Sequence, residues 1–275
     1  MMTNPIQTAL SALLWSHRSI RKFTNQQVPQ ELLEEVINEA VVGGSSSGNL
    51  NSYSFVISRD GGKKAMLEEA HFGQGMVTEC SVVLTVCADW WRVRQWLKLR
   101  SAKDGFSTFH GYHVAVVDAI IIAQNIALGL QARGLGMCYL GTTQESMQEI
   151  SDLLELPETV VPITTLVIGY PAEAPAKRDR LPVRAYIHSE VYRNPEPKEL
   201  EEVYNDREVK GWQRYMAIPE MKERMENSGV SSLAEFYTSD YKYPESGSLE
   251  TSRRIMDFLE KKGFMRANQE GEKEA

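Results

Sequence analysis

Apolar residues at helical spacing mark the first part of the chain. Residues from Pro5 to Trp15 predict a helix with its leucines on one side, and Pro29 stands in the favoured first turn of a second helix. The second helix carries apolar residues at the same period and is predicted to end at the stretch GGSSSGNLNS, residues 43–52. A run of glycine, serine and asparagine of this kind is typical of turns and loops.

Shorter apolar runs farther along the chain predict strands. YSFVIS at 53–58 is rich in β-favouring residues, and SVVLTVCA at 81–88 is apolar almost throughout, which indicates a strand buried on both faces. MCYLGTT at 137–143 predicts a short strand and a turn, and VPITTLVIGYP at 161–171 predicts a further strand. Because helices and strands are mixed irregularly, we expect an α+β fold with one core sheet and helices around it.

The longest apolar run, Val114–Leu130, is interrupted by Asp118, Gln124 and Asn125. A membrane span would have to bury the aspartate at a cost of roughly 3 kcal/mol. A helix in the protein core or in an interface is therefore the favoured interpretation, with Gly134 as its C-cap.

Two more helical regions follow the predicted strands. TQESMQEISDLLELP at 143–157 predicts an amphipathic helix capped by Thr143, and beyond Pro195 the helical segments become strongly charged. These charged segments are typical of an arm that packs on another surface, and the last residues are typical of a frayed tail.

Composition narrows the classes of protein. The 275 residues are 42% hydrophobic and 24% charged, with a formal net charge of -7, which argues against a nucleic-acid binder with a broad basic face. The three cysteines, Cys80, Cys87 and Cys138, lack paired CxxC spacing, so free thiols in a reducing cytoplasm are expected. No signal peptide is evident in the sequence.

Two short basic clusters stand out against this acidic background. SHRSIRKF at 16–23 places three cations, a histidine and two serines within eight residues, and arginine and serine donors of this kind suit phosphate. KRDRLP at 177–182 is a second cluster far along the chain. Taken alone, a short basic cluster is more often a solvated surface turn than a phosphate site, and the sequence does not show that the two clusters meet.

Other motifs leave the chemistry open. Neither a Walker loop nor a complete dinucleotide fingerprint is present, and the small residues of 43–52 fit either an ordinary loop or close approach to a flat polar ligand. WWRVRQW at 90–96 interleaves aromatics and arginines, which fits an aromatic packing surface better than a single-strand nucleic-acid site. Since no nucleophile elbow, metal-ligand pair or carboxylate pair is evident, we assign no catalytic or metal-binding residue and expect a cofactor to carry any chemistry.

The motifs, taken in order, resemble the FMN-dependent nitroreductase family, and most of all its oxygen-insensitive NADPH nitroreductase and flavin reductase branch. The matching stretches cover much of residues 5–193: HRSIRKFTNQQVP, SSSGNLNS, FGQ before VLTVCAD, VVDAIIIAQNIALGLQARGLGMCYLGTT and VIGYPAEAPAKRDRLP. A further match lies at RRIMDFLEKKGF, whereas residues 195–250 match poorly.

The resemblance implies a nitroreductase-like fold: a central, mostly antiparallel sheet flanked by helices, in an intertwined homodimer with FMN at the subunit interface. It also implies an FMN-binding core at 1–194 and a helical extension at 195–266 that packs on the core and the partner. Residues 267–275 would form a flexible tail.

The resemblance also implies a set of cofactor-binding residues. Arg18 and Ser19, with His17 beside them, would hold the FMN phosphate, and Arg21 would face the pyrimidine edge of the flavin ring. Lys22 has no matching role and is expected to be solvated. The remaining expected FMN contacts are Ser46, Ser47, Asn49, Gln74, Tyr139, Leu140, Gly141, Arg178 and Arg180.

The activity implied is that of an FMN-dependent oxidoreductase with NADPH or NADH as electron donor. Hydride would pass through FMN N5 in a ping-pong order to a small acceptor, such as a nitroaromatic, a quinone or a flavin. The expected location is cytoplasmic, without a nucleic-acid or membrane partner. Two alternatives stay open, a flavin-binding sensor with little turnover and, more weakly, a nucleic-acid-binding protein.

Overall fold

The computed structural model describes residues 5–265 of the chain. Contacts divide the described chain into two units, one formed by the described parts of Met1–Ala176 and Arg253–Ala275, the other by Lys177–Ser252. The helices are α1 Pro5–Ser16, α2 Gln30–Val42, α3 Gly61–Ala70, α4 Met76–Glu79, α5 Trp91–Leu99, α6 Phe109–Ala132, α7 Met147–Leu153, α8 Pro197–Met216, α9 Pro219–Ser228, α10 Leu233–Thr238 and α11 Glu245–Lys261.

The first unit is built on a four-stranded sheet. Its strands are β1 Tyr53–Ser58, β2 Val82–Asp89, β3 Gly136–Leu140 and β4 Val160–Gly169, in the order β1-β2-β4-β3. Every pairing among the described strands is antiparallel. All residues of β2 and β4 are buried, as the unbroken apolar sequence of β2 predicts, because these central strands are covered on both faces. The predicted α+β class is therefore confirmed.

Helix α6 runs through the main core of this unit. One side of the helix packs with α2 against the sheet, and the Arg133 guanidinium just after α6 bonds to Glu35 and Glu39 of α2 at 2.9 and 2.8 Å. By length and composition, α6 is the described helix that is apolar enough to cross a membrane. Its buried residues nevertheless belong to the protein core: Ala115, Ala119, Ile122, Ala123, Ile126, Ala127 and Leu130.

Helix boundaries follow the sequence prediction with local corrections. Pro29 is the N-cap of α2 rather than its first helical residue, and Arg133 caps α6, with Gly134 next in a left-handed conformation at φ 73°. The predicted cap at Thr143 is wrong, since α7 begins later with Ser146 as its N-cap. The Thr143 hydroxyl instead bonds to the Leu140 carbonyl and to Thr165, which ties the turn after β3 to β4.

The second unit is helical. Helix α8 begins with a capping box in which Glu196 and Glu199 bond to each other's backbone, and Gly211 lets Leu233 pack closely on that helix. Tyr215, Phe236 and Tyr237 form an aromatic cluster inside the unit. The unit boundary lies at residue 176, whereas the predicted functional division lies at 194. That division stays a prediction, and residues 266–275, including the predicted tail, lie outside the described residues.

Candidate functional site

Residues 17–24, named here the basic segment, lie against one end of the sheet. The Ile20 amide donates to the Met137 carbonyl of β3 at 2.9 Å, and the Thr24 amide donates to the carbonyl of Tyr170, just past β4, at 2.8 Å. Phe23 forms a bridge with Pro171. The basic segment is therefore held by its backbone, which leaves its charged side chains available for other contacts.

Two glycines allow the basic segment to lie close against the sheet. Gly136 of β3 and Gly169 of β4 face each other in the sheet register. A Cβ atom on Gly136 would lie 2.9 Å from the Ile20 side chain, and one on Gly169 would lie 2.8 Å from the Phe23 ring. Since carbon atoms in contact are normally about 3.5–4.0 Å apart, any larger residue would displace the basic segment.

Among the described residues, the arginine side chains of the basic segment have no acidic partner. Arg18 is half-buried, and the guanidinium groups of Arg18 and Arg21 make no hydrogen bond or ion pair with any residue in the range 5–265. By contrast, the backbone amides of Arg21 and Lys22 both donate to the Glu173 carboxylate, at 2.6 and 3.1 Å. A half-buried arginine without an internal acid can take its partner from a ligand.

His17 is oriented from the end of α6. Its Nδ1 lies 2.9 Å from Gln131 Oε1, while the Gln131 amide nitrogen donates to the Ala127 carbonyl at 3.1 Å. With this amide orientation, Nδ1 carries the proton and Nε2 is left as the other polar atom of the ring. His17, Arg18 and Ser19 are all partly buried, and their role at the FMN phosphate stays a prediction.

The basic segment also meets the strand that carries the predicted Tyr139, Leu140 and Gly141 contacts. Burial raises the pKa of the Cys138 thiol, and the Arg21 charge and a hydrogen bond from Ser19 oppose that shift. Both side chains therefore lie within reach of β3. Tyr139 is partly buried and burial raises the pKa of its phenol, Leu140 is buried, and Gly141 is exposed at the start of the following turn.

Gln74 is brought to that same turn. Its side-chain amide donates to Thr142 Oγ1 and to the His71 carbonyl, each at 3.1 Å. The buried His71 ring also bonds to Thr142 through Nδ1, at 2.8 Å, and its Nε2 has no partner in the described part of the chain. Gln74 is thus fixed on Thr142, the residue that follows Gly141, and its contact with the flavin stays a prediction.

Residues 46–52, named here the serine loop, are held by a charge inside α6. Ser46 Oγ and Ser52 Oγ donate to Asp118 Oδ2 at 2.7 and 2.8 Å. The backbone amide and hydroxyl of Ser47 donate to Oδ1 at 3.0 and 3.1 Å. The hydroxyls predicted to line the flavin at Ser46 and Ser47 therefore point their hydrogens at Asp118, and each can only accept a further hydrogen bond.

The serine loop and the basic segment are attached to different parts of α6. Asp118 holds the loop, and Gln131 contacts His17; the interval from 118 to 131 corresponds to about 20 Å of helix. The described hydrogen bonds do not join the two groups. Within one chain the predicted cofactor-binding residues therefore form two groups: the basic segment with β3 and Gln74, and the serine loop with Asn49.

Arg178 and Arg180 lie in the second unit, so their predicted role at the phosphate stays a prediction. Arg180 bonds weakly, at 3.4 Å, to the carbonyls of Arg178 and Asp179.

The WWRVRQW motif is a packing element. Trp90 is buried and stacks on Phe106 with ring centroids 4.1 Å apart. Arg92 donates to the carbonyl of Asn51 at 2.6 Å, and Arg94 forms ion pairs with two carboxylates at 2.8 and 3.1 Å. Because both arginines are engaged inside the protein, the prediction of a packing surface is supported over that of a nucleic-acid surface.

Sequence reasoning missed the residues that support the site. Asp118 was noted only as an interruption of an apolar helix, although a lone acid in such a helix is itself a signal of a buried polar partner. The sequence does not indicate a role for Gln131, Thr142 or His71, because their hydrogen-bond partners lie far away in sequence. The need for Gly136 likewise depends on a tertiary contact.

Comparisons with known proteins agree with this architecture. The sequence model of the Nitroreductase family matches residues 14–170, more than half of the chain. A Bacillus subtilis (strain 168) protein named as an NAD(P)H FMN reductase is 32% identical over 238 residues, covering 78% of this chain and 95% of that protein. A Cr(VI) reductase from Pseudomonas sp. (strain G-1) is 29% identical over 253 residues, covering 92% and 97% respectively.

A solved structure gives the same result at the level of the fold. The structure of a candidate oxidoreductase from Bacteroides fragilis NCTC 9343 superposes with a TM-score of 0.84 at 34% identity, covering 92% of this chain and 99% of that one. The match extends well beyond the segment that the family model covers. On the sequence match and the shared fold together, the chain belongs to the Nitroreductase family.

Proposed function

We propose that this protein is an FMN-dependent oxidoreductase that uses NADPH or NADH to reduce small acceptors. The observation that carries the proposal is the half-buried Arg18, whose guanidinium pairs with no acid in residues 5–265 although the chain is acidic overall. The names of the relatives, an FMN reductase and a Cr(VI) reductase, support the same class of reaction.

The residues of the basic segment fit a flavin mononucleotide. Arg18 and Ser19 would hold the phosphate, since a guanidinium and a hydroxyl are matched donors for its oxygens. Arg21 would stabilise negative charge on the pyrimidine side of the ring. Gln74, held by Thr142, and the backbone at Gly141 would orient the ring from the end of β3.

The chemistry that bound FMN would supply has two halves, in a ping-pong order: uptake of a hydride from NAD(P)H, then transfer of an electron pair to a nitroaromatic, quinone or flavin. The chain's own contribution is orientation, a positive field and a pocket that both substrates use in turn. No residue of the chain is assigned a proton-transfer or nucleophilic role. Because one pocket would serve both substrates, broad acceptor use is the expected behaviour.

We also propose that two copies of the chain build the site. The serine loop is about 20 Å of helix away from the basic segment, so a loop from one chain and a basic segment from another would bring the predicted contacts together. Exposed apolar side chains on α6, at Val117, Ile120 and Ile121, give such a dimer a surface to bury. A cytoplasmic location fits three buried free cysteines.

A flavin-binding protein without turnover is the second candidate. It would keep the basic segment and the fixed Gln74 but would not pass electrons to an acceptor. The two functions differ in whether bound flavin, once reduced by NAD(P)H, is reoxidised by a small acceptor in the absence of oxygen.

Binding of FMN tests the first step of the proposal. Replacing Arg18 with Ala removes charge-assisted bonds worth roughly 1.5–3 kcal/mol, so FMN should bind roughly ten- to a hundred-fold more weakly. Lys22→Ala is the matched control, because Lys22 is an exposed cation of the same segment and should change affinity less than threefold. The measurement is quenching of FMN fluorescence on titration with apoprotein.

The titration has two results that contradict the proposal. Wild-type protein that FMN does not bind would exclude both the enzyme and the flavin-binding alternative. Equal losses for Arg18→Ala and Lys22→Ala would show that the segment attracts anions only through its net charge.

A further inference from the structure

A buried aspartate that the proposed chemistry does not use organises the serine loop. Asp118 is 1% exposed and stands in the apolar core helix α6. It accepts four hydrogen bonds from three serines, and all four lie between 2.7 and 3.1 Å. A buried carboxylate is costly unless its oxygens are satisfied, and this one is satisfied almost wholly by the loop.

The hydrogen bonds fix an unusual backbone. Gly48, Asn49 and Asn51 all have positive φ values, at 57°, 56° and 52°. A non-glycine residue in this conformation is disfavoured unless its surroundings hold it there. Ser46 Oγ connects the two ends of the loop, since it donates to Asp118 and accepts from the Asn51 amide at 2.8 Å.

The same bonds decide which groups of the loop can meet a ligand. Ser52 is fully buried, and the hydroxyl hydrogens of Ser46 and Ser47 are taken by Asp118. Asn49 is exposed, and its carbonyl and side-chain oxygens accept from the side-chain NH2 group of Asn51, which leaves the Asn49 NH2 group to donate outward.

We infer that Asp118 is a positioning residue of the FMN site: it holds the serine loop so that Asn49 faces the flavin, and the serines act through Asp118 more than through direct contact. This inference rests on the proposed FMN binding. It assigns a function to the acid that interrupts the core helix, and it changes the expected role of Ser46 and Ser47 from ligand contacts to supports.

Ser52→Ala is the sharpest variant, because the buried Ser52 side chain lies out of reach of any ligand. The substitution removes one hydrogen bond to the charged Asp118. FMN should therefore bind to the variant at least about threefold more weakly than to the wild type. Asp118→Asn should weaken binding by about tenfold or more, since an amide has a single acceptor oxygen for four donors.

Asp104→Asn is the matched control. Asp104 also organises a loop, accepting from the Phe106 amide at 2.9 Å and the Ser107 hydroxyl at 2.7 Å and pairing with Arg94. Its loop is absent from the predicted FMN contacts. The variant should therefore disturb its own loop and leave FMN affinity within about twofold of wild type.

Hydrogen exchange of the apoprotein provides a readout that does not depend on FMN. The Ser47 and Asn51 amides donate to Asp118 and to Ser46, so both should exchange faster in Ser52→Ala and Asp118→Asn and stay unchanged in Asp104→Asn. Amides in the buried strand β2 serve as the reference that the fold is intact.

The outcomes separate this inference from the proposed function. If wild-type protein does not bind FMN, the proposed function and the FMN role of Asp118 fail together. If wild type binds FMN, and Ser52→Ala and Asp118→Asn exchange faster at Ser47 yet bind FMN as tightly as wild type, only the positioning role is overturned. Adding Ser47→Ala to Asp118→Asn should cost less than twofold further affinity; a larger additional loss would show direct serine contact instead.

Discussion

At the scale of single residues, the site is defined by which polar groups have hydrogen-bond or ion-pair partners within the protein and which do not. The acids Glu173 and Asp118 are engaged by backbone amides and serine hydroxyls, whereas the guanidinium groups of Arg18 and Arg21 form no hydrogen bond or ion pair within residues 5–265. In a chain of net charge -7, an unpaired half-buried arginine is informative because acids are plentiful. These unpaired guanidinium groups are the ones to which a phosphate and an anionic flavin ring would bind.

The buried His71 makes a residue-scale prediction about pH. Burial lowers its pKa to about 4 from the ordinary 6.5. Between these values the unfolded chain binds the proton more readily, so the free energy of unfolding should fall as the pH drops from about 6.5 towards 4. The slope from this group is at most about 1.4 kcal/mol per pH unit.

His71→Gln removes that titration. The wild type should lose stability faster than the variant between about pH 7 and about pH 5, measured by urea unfolding of the apoprotein. Parallel stability curves for the two proteins would show that His71 does not resist protonation in the folded state.

At the scale of elements, a loop segment is docked on the sheet through two facing glycines. The basic segment bonds to β3 and to the end of β4, and Gly136 and Gly169 leave space for Ile20 and Phe23. The arrangement places the cations of the basic segment beside strand β3. The backbone bonds thus set the position, and the side chains keep their freedom to bind.

Gly136→Ala tests this docking. The added Cβ would meet the branched part of Ile20 at 2.9 Å. Overpacking of this kind costs about 1–3 kcal/mol and should also weaken FMN binding by displacing Arg18.

Gly105→Ala is the control, because no atom lies within 4 Å of the added Cβ. It should change stability by no more than about 0.5 kcal/mol. The measurements are urea unfolding and FMN titration, and a Gly136→Ala protein as stable and as tight-binding as the control would refute the docking account.

The elements themselves were largely predictable from the sequence. The strands β1 and β2 and the core helix follow directly from apolar runs and periodicity, because burial of these residues is the dominant driving force. The start of α7 was missed because Thr143 has a tertiary partner, Thr165, that no local rule shows. In the site, the family resemblance named Gln74 and Gly141 as separate expected FMN contacts, whereas the bond from Gln74 to Thr142 and the bonds from the serine loop to Asp118 became visible only in the structure.

At the scale of the whole molecule, the separation of the serine loop from the basic segment along α6 is the reason for proposing a dimer. An apolar face of α6 at Val117, Ile120 and Ile121 is exposed in a single chain, and so are apolar side chains of α1 such as Leu14, at 53% exposure. Association would bury these surfaces and bring a serine loop close to a basic segment. The acidic exterior would then surround a local positive site.

Ile120→Asp tests the dimer. Wild-type protein should have twice the chain mass of 31.1 kDa in light scattering, and the variant should shift towards the monomer with reduced FMN binding. Val42→Asp is the control, since Val42 is more exposed than Ile120, at 79% against 44%, and lies at the end of α2. A wild-type monomer that binds FMN fully would exclude a site shared between two chains.

The most direct test of the central claim follows the flavin through both halves of the reaction. Apoprotein is loaded with FMN and mixed, without oxygen, first with NADPH or NADH and then with a quinone or a nitroaromatic. The account predicts that the nucleotide bleaches the oxidised-flavin absorbance and that the acceptor restores it, with one acceptor reduced by two electrons for each nucleotide consumed. Bound flavin that the nucleotide does not bleach, or that the acceptor does not restore, would contradict an oxidoreductase function.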